Sequence, residues 1–379
     1  MNSRQSWNII TLFLLLIFGF TAATILKPKS EYSERENRNL AQMPSVSADS
    51  VFSGQFEKDY EDYLTDQFVL RDRWIALKTS VQRLLLNQDI NDVYFAKHDY
   101  LIEKHTGVFE SELAEKNKGY LDAFADRYLQ QFSEDHLSVI LVPNAVEILA
   151  DYLPAFASPY DEETYLLQIR STLPEGIWTD ALSVLNTHKE EYLYYRTDHH
   201  WTTYAAWLVF KRWIADKNLE DVNPDDFAIR TITEEFEGTI ASKIGTRVKP
   251  DVIECYEPAQ LPKLFVRYNK SSEAVSSLYD ESKLEGRDKY AYFLGGNYAL
   301  VQIQTSVKNG KKLLMIKDSY AHCMAPMLTE LFEEIDLLDL RYFNESLSSF
   351  IEEGGYTDLV FLYNAAGFAE DSSLAKLLT

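Results

Sequence analysis

The chain is 379 residues long and sets 59 Asp and Glu against 37 Lys and Arg, a formal net charge of −22. That balance argues against a nucleic-acid partner, whose phosphates are bound by excess Lys and Arg, and 46% hydrophobic residues exclude a disordered chain. Two cysteines, Cys255 and Cys323, are too few for a disulfide framework or a four-cysteine zinc site, and the sequence leaves open whether they pair.

Trp7 to Leu26 runs for twenty residues without a charge, the length that crosses a bilayer as a helix. Residues 1–29 therefore read as a membrane anchor, with a long signal peptide cut near Thr21 to Ala23 as the other reading. The acidic body is expected outside the cytoplasm, because long domains translocate largely regardless of charge. Residues 30–89 read as a stalk and a leading helix: the stretch to Ser50 is polar, and over 55–86 Phe56, Tyr60, Tyr63, Leu64, Phe68, Leu70, Trp74, Leu77 and Leu84 recur near the helical period.

Over 90–379 the pattern changes. A helix is expected from about Leu113 to Phe132, and short apolar runs at 93–95, 139–142, 192–195, 313–316, 335–340 and 359–363 predict strands. Helical patterns at Thr202–Lys217 and Tyr320–Phe332 lie between them. Such alternation predicts an α/β domain on a largely parallel sheet, whose ligands bind at the carboxyl ends of the strands. From about 218 to 305 the pieces FAIRTI, KLFVRY, YAYFLGG and ALVQIQT read instead as a β-rich insertion. No Gly-rich phosphate loop and no internal repeat is present.

Three segments that follow predicted strands carry chemistry. In Tyr194-Tyr195-Arg196-Thr197-Asp198-His199-His200-Trp201-Thr202, an Asp two residues before a His can orient an imidazole as general base. The same residues could instead ligate a metal, although adjacent histidines point poorly to one ion, or Thr197 or Asp198 could simply cap the next helix. In Lys317-Asp318-Ser319-Tyr320, a serine at a strand-to-helix corner is either a nucleophile beside helix N-terminal amides or a plain N-cap. Arg341 and Asn364 sit where strands end and could bind an anion or complete an oxyanion hole. Asn144, after the run 139–142, is a similar candidate; Cys323 reads as a packing thiol and His322 as a surface residue.

The run YYRTDHHWT at 194–202 resembles the signature of the DHHW family of bacterial membrane-anchored exported proteins, which are similar to the SGNH-hydrolase-like alginate O-acetyltransferase proteins. The blocks YSERENRNLA at 32–41, DQFVLRD at 66–72 and IKDSYA at 316–321 fit the same resemblance. It implies a three-layer α/β/α SGNH-hydrolase-like domain in a permuted order, with Asp198 orienting, His200 as base and Ser319 as nucleophile. The Gly-Asp-Ser-Leu block and the Asp-x-x-His spacing of ordinary SGNH hydrolases are absent.

By implication, acetyl groups pass through an acetyl-serine to hydroxyls of an exported or cell-surface polysaccharide. The donor would be a membrane-bound O-acyltransferase partner, and the resemblance calls for no metal or tightly bound cofactor. Tyr194, Tyr195, Trp201 and Tyr320 could form part of a sugar-stacking surface, and core packing accounts for such aromatics equally well; exposure would favour the sugar. An esterase using the same three residues, and a non-catalytic glycan-binding scaffold of an export complex, are the rival readings.

Overall fold

The computed structural model describes residues 3–33, 38–219, 226–246 and 248–379; residues 34–37 of the block 32–41 lie outside the described residues. Two compact units divide the chain, Met1–Asn87 with Ser242–Arg247, and Gln88–Ala241 with Val248–Thr379.

In the first unit a helix spans Ser3–Leu26. Residues 55–86 form two helices rather than one, Gln55–Gln67 and Arg71–Leu84. The break has a backbone cause: Phe68 is extended and Leu70 takes a left-handed φ of 56°, a conformation no helix continues through. Thr79 of the second helix donates its hydroxyl to the Ile244 carbonyl, and a Cβ on Gly245 would meet Ile75 at 3.0 Å, so Ile244 and Gly245 lie against that helix.

The second unit is built on a six-stranded sheet. Its strands are β1 (Leu137–Val142), β2 (Phe265–Tyr268), β3 (Leu300–Gln304), β4 (Lys312–Lys317), β5 (Glu334–Leu338) and β6 (Asp358–Asn364). They lie in the order β1-β6-β4-β5-β3-β2, parallel from β1 to β5, with β3 and β2 added antiparallel. The parallel strands are apolar on both faces, as the central strands of such a sheet must be. Leu313, Met315, Leu337 and Leu362 pack toward the helix Thr203–Asp216 on one side. Leu314, Ile316, Leu338 and Phe361 pack toward the helix Glu112–His136 on the other, giving three layers.

The inserted segment is smaller than the sequence suggests. Only the ribbon Phe227–Phe236 with Asp251–Pro258 stands apart from the sheet, whereas KLFVRY and ALVQIQT supply β2 and β3. YAYFLGG is not a strand: Lys289–Tyr292 is a 3₁₀ turn, and Leu294 and Gly295 take positive φ. The run 192–195 makes only an isolated bridge between Tyr194 and Trp201, because its tyrosines are drawn individually into the core. After β4 the chain enters a 3₁₀ turn, Ser319–Met324, and then the short helix Ala325–Leu328, in place of one long helix.

Candidate active site

Four parallel strands end on one edge, and the residues that follow them meet there. Asp318, just past β4, caps the turn Ser319–Met324 by accepting the Tyr320 amide at 2.8 Å. Ser319 is therefore first in the turn, where helical geometry leaves its own N–H without an intrahelical partner. The hydroxyl of Ser319 lies 2.8 Å from His200 Nε2. His200 Nδ1 in turn lies 2.5 Å from Asp198 Oδ1, which also accepts the His200 amide at 3.1 Å. Oδ2 of Asp198 accepts the amide and hydroxyl of Thr239 at 2.9 and 3.0 Å. With Nδ1 held by a carboxylate, Nε2 is the nitrogen turned to the serine.

Helix capping does not compete for these groups. Thr202, not Thr197 or Asp198, caps Thr203–Asp216 by accepting the Ala205 amide, which leaves Asp198 to His200. Burial pushes the Asp198 carboxyl up, but the two neighbouring imidazoles and its hydrogen bonds outweigh that, and it lies well below the usual carboxylate range. Burial, followed by His199, lowers His200 to about 4 against the pull of Asp198. The imidazole is neutral at neutral pH, the form that accepts a proton.

The segment 196–200 is pinned from below by a residue the sequence did not point to. Asp251, fully buried at the start of the ribbon's second strand, accepts the Arg196 and Thr197 amides at 2.8 Å each, the Thr197 hydroxyl at 2.6 Å and the Tyr192 hydroxyl at 2.5 Å. Thr197 passes the support on, its hydroxyl accepting the Gly238 amide at 2.8 Å. Gly238 presses so closely that a Cβ there would lie 2.3 Å from the Asp198 Cβ and 2.8 Å from its Cα. Tyr290 covers the other side: its ring stacks on His200 with centroids 3.8 Å apart, and its hydroxyl donates to the Ser319 carbonyl at 3.0 Å. No local motif marks Asp251, Gly238 or Tyr290, because each comes from a distant segment.

Asn144, Arg341 and Asn364 do reach the same cleft, a space of about 350 Å³ that His199 and Ser319 also line. Both asparagines are cross-braces between strand ends. Asn364 donates its side-chain amide to Asp318 Oδ2 at 2.6 Å and accepts from Asn144 at 3.0 Å, while Asn144 accepts the Ala366 amide at 2.8 Å. Arg341 makes a two-pronged pair with Asp339 at 2.9 and 2.6 Å. The wholly buried Lys317 ammonium stands 3.7 Å from that same carboxylate and 2.8 Å from His322 Nε2.

One sequence expectation fails here, and one open choice is decided. His322 is buried rather than on the surface, because at three residues per turn it stacks beneath Ser319. Trp201 and Tyr320 are also fully buried, with Tyr194 and Tyr195, so none of the four offers a face to a sugar. Three of the four polar tips are satisfied within the protein: Trp201 Nε1 donates to the Tyr320 carbonyl at 2.9 Å, Tyr320 to the His199 carbonyl at 2.5 Å and Tyr194 to the Pro143 carbonyl at 2.6 Å. They form the floor beneath the histidine rather than a binding surface. Cys255 and Cys323 are both free thiols and buried.

Among the described residues, Asp198, His199 and His200 place three ligand-type atoms within 4.8 Å of one another. The donor set does not fit a metal well. Both nitrogens of His200 and both oxygens of Asp198 already face protein partners, so an ion would have to break the contact to Ser319.

The DHHW protein family model matches residues 162–338, a span that holds Asp198, His200 and Ser319. The chain is similar to a DHHW family protein from Eubacterium siraeum at 25% identity, covering 70% of this chain and 88% of that one, with a TM-score of 0.55. It is similar to PatB1 of Bacillus cereus at 17% identity, covering 73% and 97%, with a TM-score of 0.59. The O-acetyltransferase domain of Pseudomonas putida AlgJ aligns at 12% identity over 75% and 98%, with a TM-score of 0.47. No curated protein matches the chain in sequence. The fold is thus the SGNH-hydrolase-like α/β fold with Asp and His ahead of Ser in the chain, preceded by one apolar helix of membrane-spanning length.

Proposed function

We propose that this chain is a serine-dependent O-acyltransferase that moves acetyl groups to hydroxyls of an exported or cell-surface polysaccharide, with its body outside the cytoplasmic membrane. The observation that carries this reading is the unbroken line of contacts from Asp198 through His200 to Ser319. Ser319 Oγ attacks the acetyl carbonyl as its proton passes to His200 Nε2, and the Asp198 carboxylate stabilises the imidazolium. The Ser319 N–H donates to the oxyanion, and the leaving oxygen departs with the proton from His200. A sugar hydroxyl then gives its proton to His200 and attacks the acetyl-serine, and Ser319 regains its proton as the ester leaves.

The likeness to the DHHW family and the shared fold support this chemistry, and the acceptor and the membrane-bound acyl donor follow from the family resemblance. The apolar helix over Arg4–Leu26, long enough to cross a membrane, supports anchoring at the N-terminus. A pH profile tests the base. Because His200 must be neutral and its pKa is lowered, turnover of an activated acetyl ester is expected to hold as pH falls past 6.5 and to drop only toward about 4. A limb at an ordinary imidazole value would contradict the assignment of His200.

Gly238→Ala tests the packing behind Asp198. The added methyl meets Asp198 backbone as well as side chain, so the carboxylate must move. A displacement of this kind costs about 10²-fold in rate. Gly119→Ala, where a Cβ meets nothing within 4 Å, is expected to leave the same steady-state rate unchanged.

A further inference from the structure

The helix Arg71–Leu84 carries an apolar stripe that its own unit leaves uncovered. Trp74, Leu77, Val81 and Leu84 follow one another at spacings of three and four residues, the neighbours along one helix face, and Leu85 and Leu86 continue past its end. All six are exposed, Leu84 at 82% and Leu86 at 85%. Thr79, by contrast, is buried against residues 242–246, so the stripe beyond Trp74 is not the face the unit uses for packing. Six large apolar side chains in a row exceed the scattered exposure normal for a surface helix.

Two further observations say what covers it. Phe20, inside the apolar N-terminal helix, stacks on Phe68 at 6.2 Å between centroids and meets Trp74 edge-on at 5.4 Å. The Val69 amide donates to the Thr24 hydroxyl at 3.2 Å. Phe20 is six residues from the end of that helix at Leu26, or about 9 Å at 1.5 Å per residue. Trp74 is therefore held at a depth where interfacial helices bury their apolar faces, roughly 5–10 Å into the headgroup and acyl boundary. The charge points the same way. In a chain of net −22, this helix carries Arg71, Arg73, Lys78 and Arg83 against Asp72 alone. Arg73 and Lys78 flank the stripe on its two sides at helical spacing, where long cationic side chains cover apolar surface and reach for phosphate.

We infer that the stripe from Trp74 to Leu86 lies in the interface of the bilayer that the N-terminal helix enters, so that the chain holds the membrane by a spanning helix and a second, basic amphipathic one. This rests on the anchor reading. The anionic lipid headgroups are the partner that the flanking cations fit.

The test uses the full chain reconstituted in phosphatidylcholine vesicles, with and without phosphatidylglycerol. Since Cys255 and Cys323 are buried, single exposed thiols can be labelled with an environment-sensitive fluorophore at Leu77→Cys and Val81→Cys, with Lys116→Cys as a control in water. The expected result is that the first two probes are quenched several-fold more by a lipid-borne nitroxide than by aqueous iodide, more so with phosphatidylglycerol, while Lys116→Cys shows the reverse. Flotation of the chain with vesicles but iodide quenching at Val81→Cys equal to that at Lys116→Cys would overturn the inference alone. Protection from both quenchers would give the face to another protein surface and overturn it as well. Failure to float would overturn the anchor reading together with it.

Discussion

Asp198→Asn is expected to lower turnover of an activated acetyl ester by about 10⁴-fold while the chain keeps its fold. The carboxylate receives the Nδ1 side of His200 on one oxygen and both Thr239 donors on the other. An asparagine keeps the Thr239 bonds but turns its NH₂ toward His200 Nδ1. That favours the tautomer whose Nε2 carries a hydrogen, so the nitrogen facing Ser319 no longer accepts a proton. Burial also loses its counterweight, since the imidazolium formed in the reaction then has no ionised partner. Steady-state kinetics beside a thermal melt checks this. A loss below tenfold in a folded variant would mean that Asp198 is an architectural residue.

The second large effect concerns stability as well as rate. Asp251→Ala removes the acceptor of two backbone amides and two hydroxyls, all within 2.8 Å and all belonging to the segment that carries Asp198 and His200 or to its approach. A buried donor left without a partner costs about 1–3 kcal/mol, and breaking a buried ionic network about 3–5 kcal/mol. A destabilisation of about 3–5 kcal/mol is therefore expected in urea unfolding of the second unit. Ester turnover should fall too, although Asp251 touches neither His200 nor Ser319, because the frame around Asp198 is lost. Asp251→Asn keeps one accepting oxygen and should lose less of both. Equal stability of the Ala variant and the parent chain would show that water replaces the carboxylate freely.

The legible part of the sequence was what local chemistry determines. An apolar strand followed by a polar corner located Ser319, and the Asp-x-His spacing located Asp198 and His200. Strand ends located Arg341, Asn364 and Asn144, which all reach one cleft. What the sequence hid depends on partners far along the chain. Asp251 looks like any acid in an acidic protein until the ribbon brings it beneath Thr197, and Gly238 matters only because Asp198 lies against it. Aromatic residues next to the Asp-x-His motif left a sugar platform open, but Trp201 and Tyr320 have polar tips that bond inside the core. The helical period over 55–86 ran on through Leu70, where a single left-handed residue turns the chain. Strand pieces at 265–268 and 300–304 looked foreign to the sheet because antiparallel strands alternate in a way that parallel ones do not.

On the proposed function, Ser319 carries the acyl group. The most direct measurement is intact-protein and peptide mass spectrometry of the chain after brief exposure to an activated acetyl ester, with Ser319→Ala and His200→Ala in parallel. One acetyl group on the peptide that holds Ser319, absent from both variants and discharged by a saccharide acceptor, is the predicted result. Folded protein that takes up no acetyl group and turns over no ester, or an adduct that persists in Ser319→Ala, would contradict it.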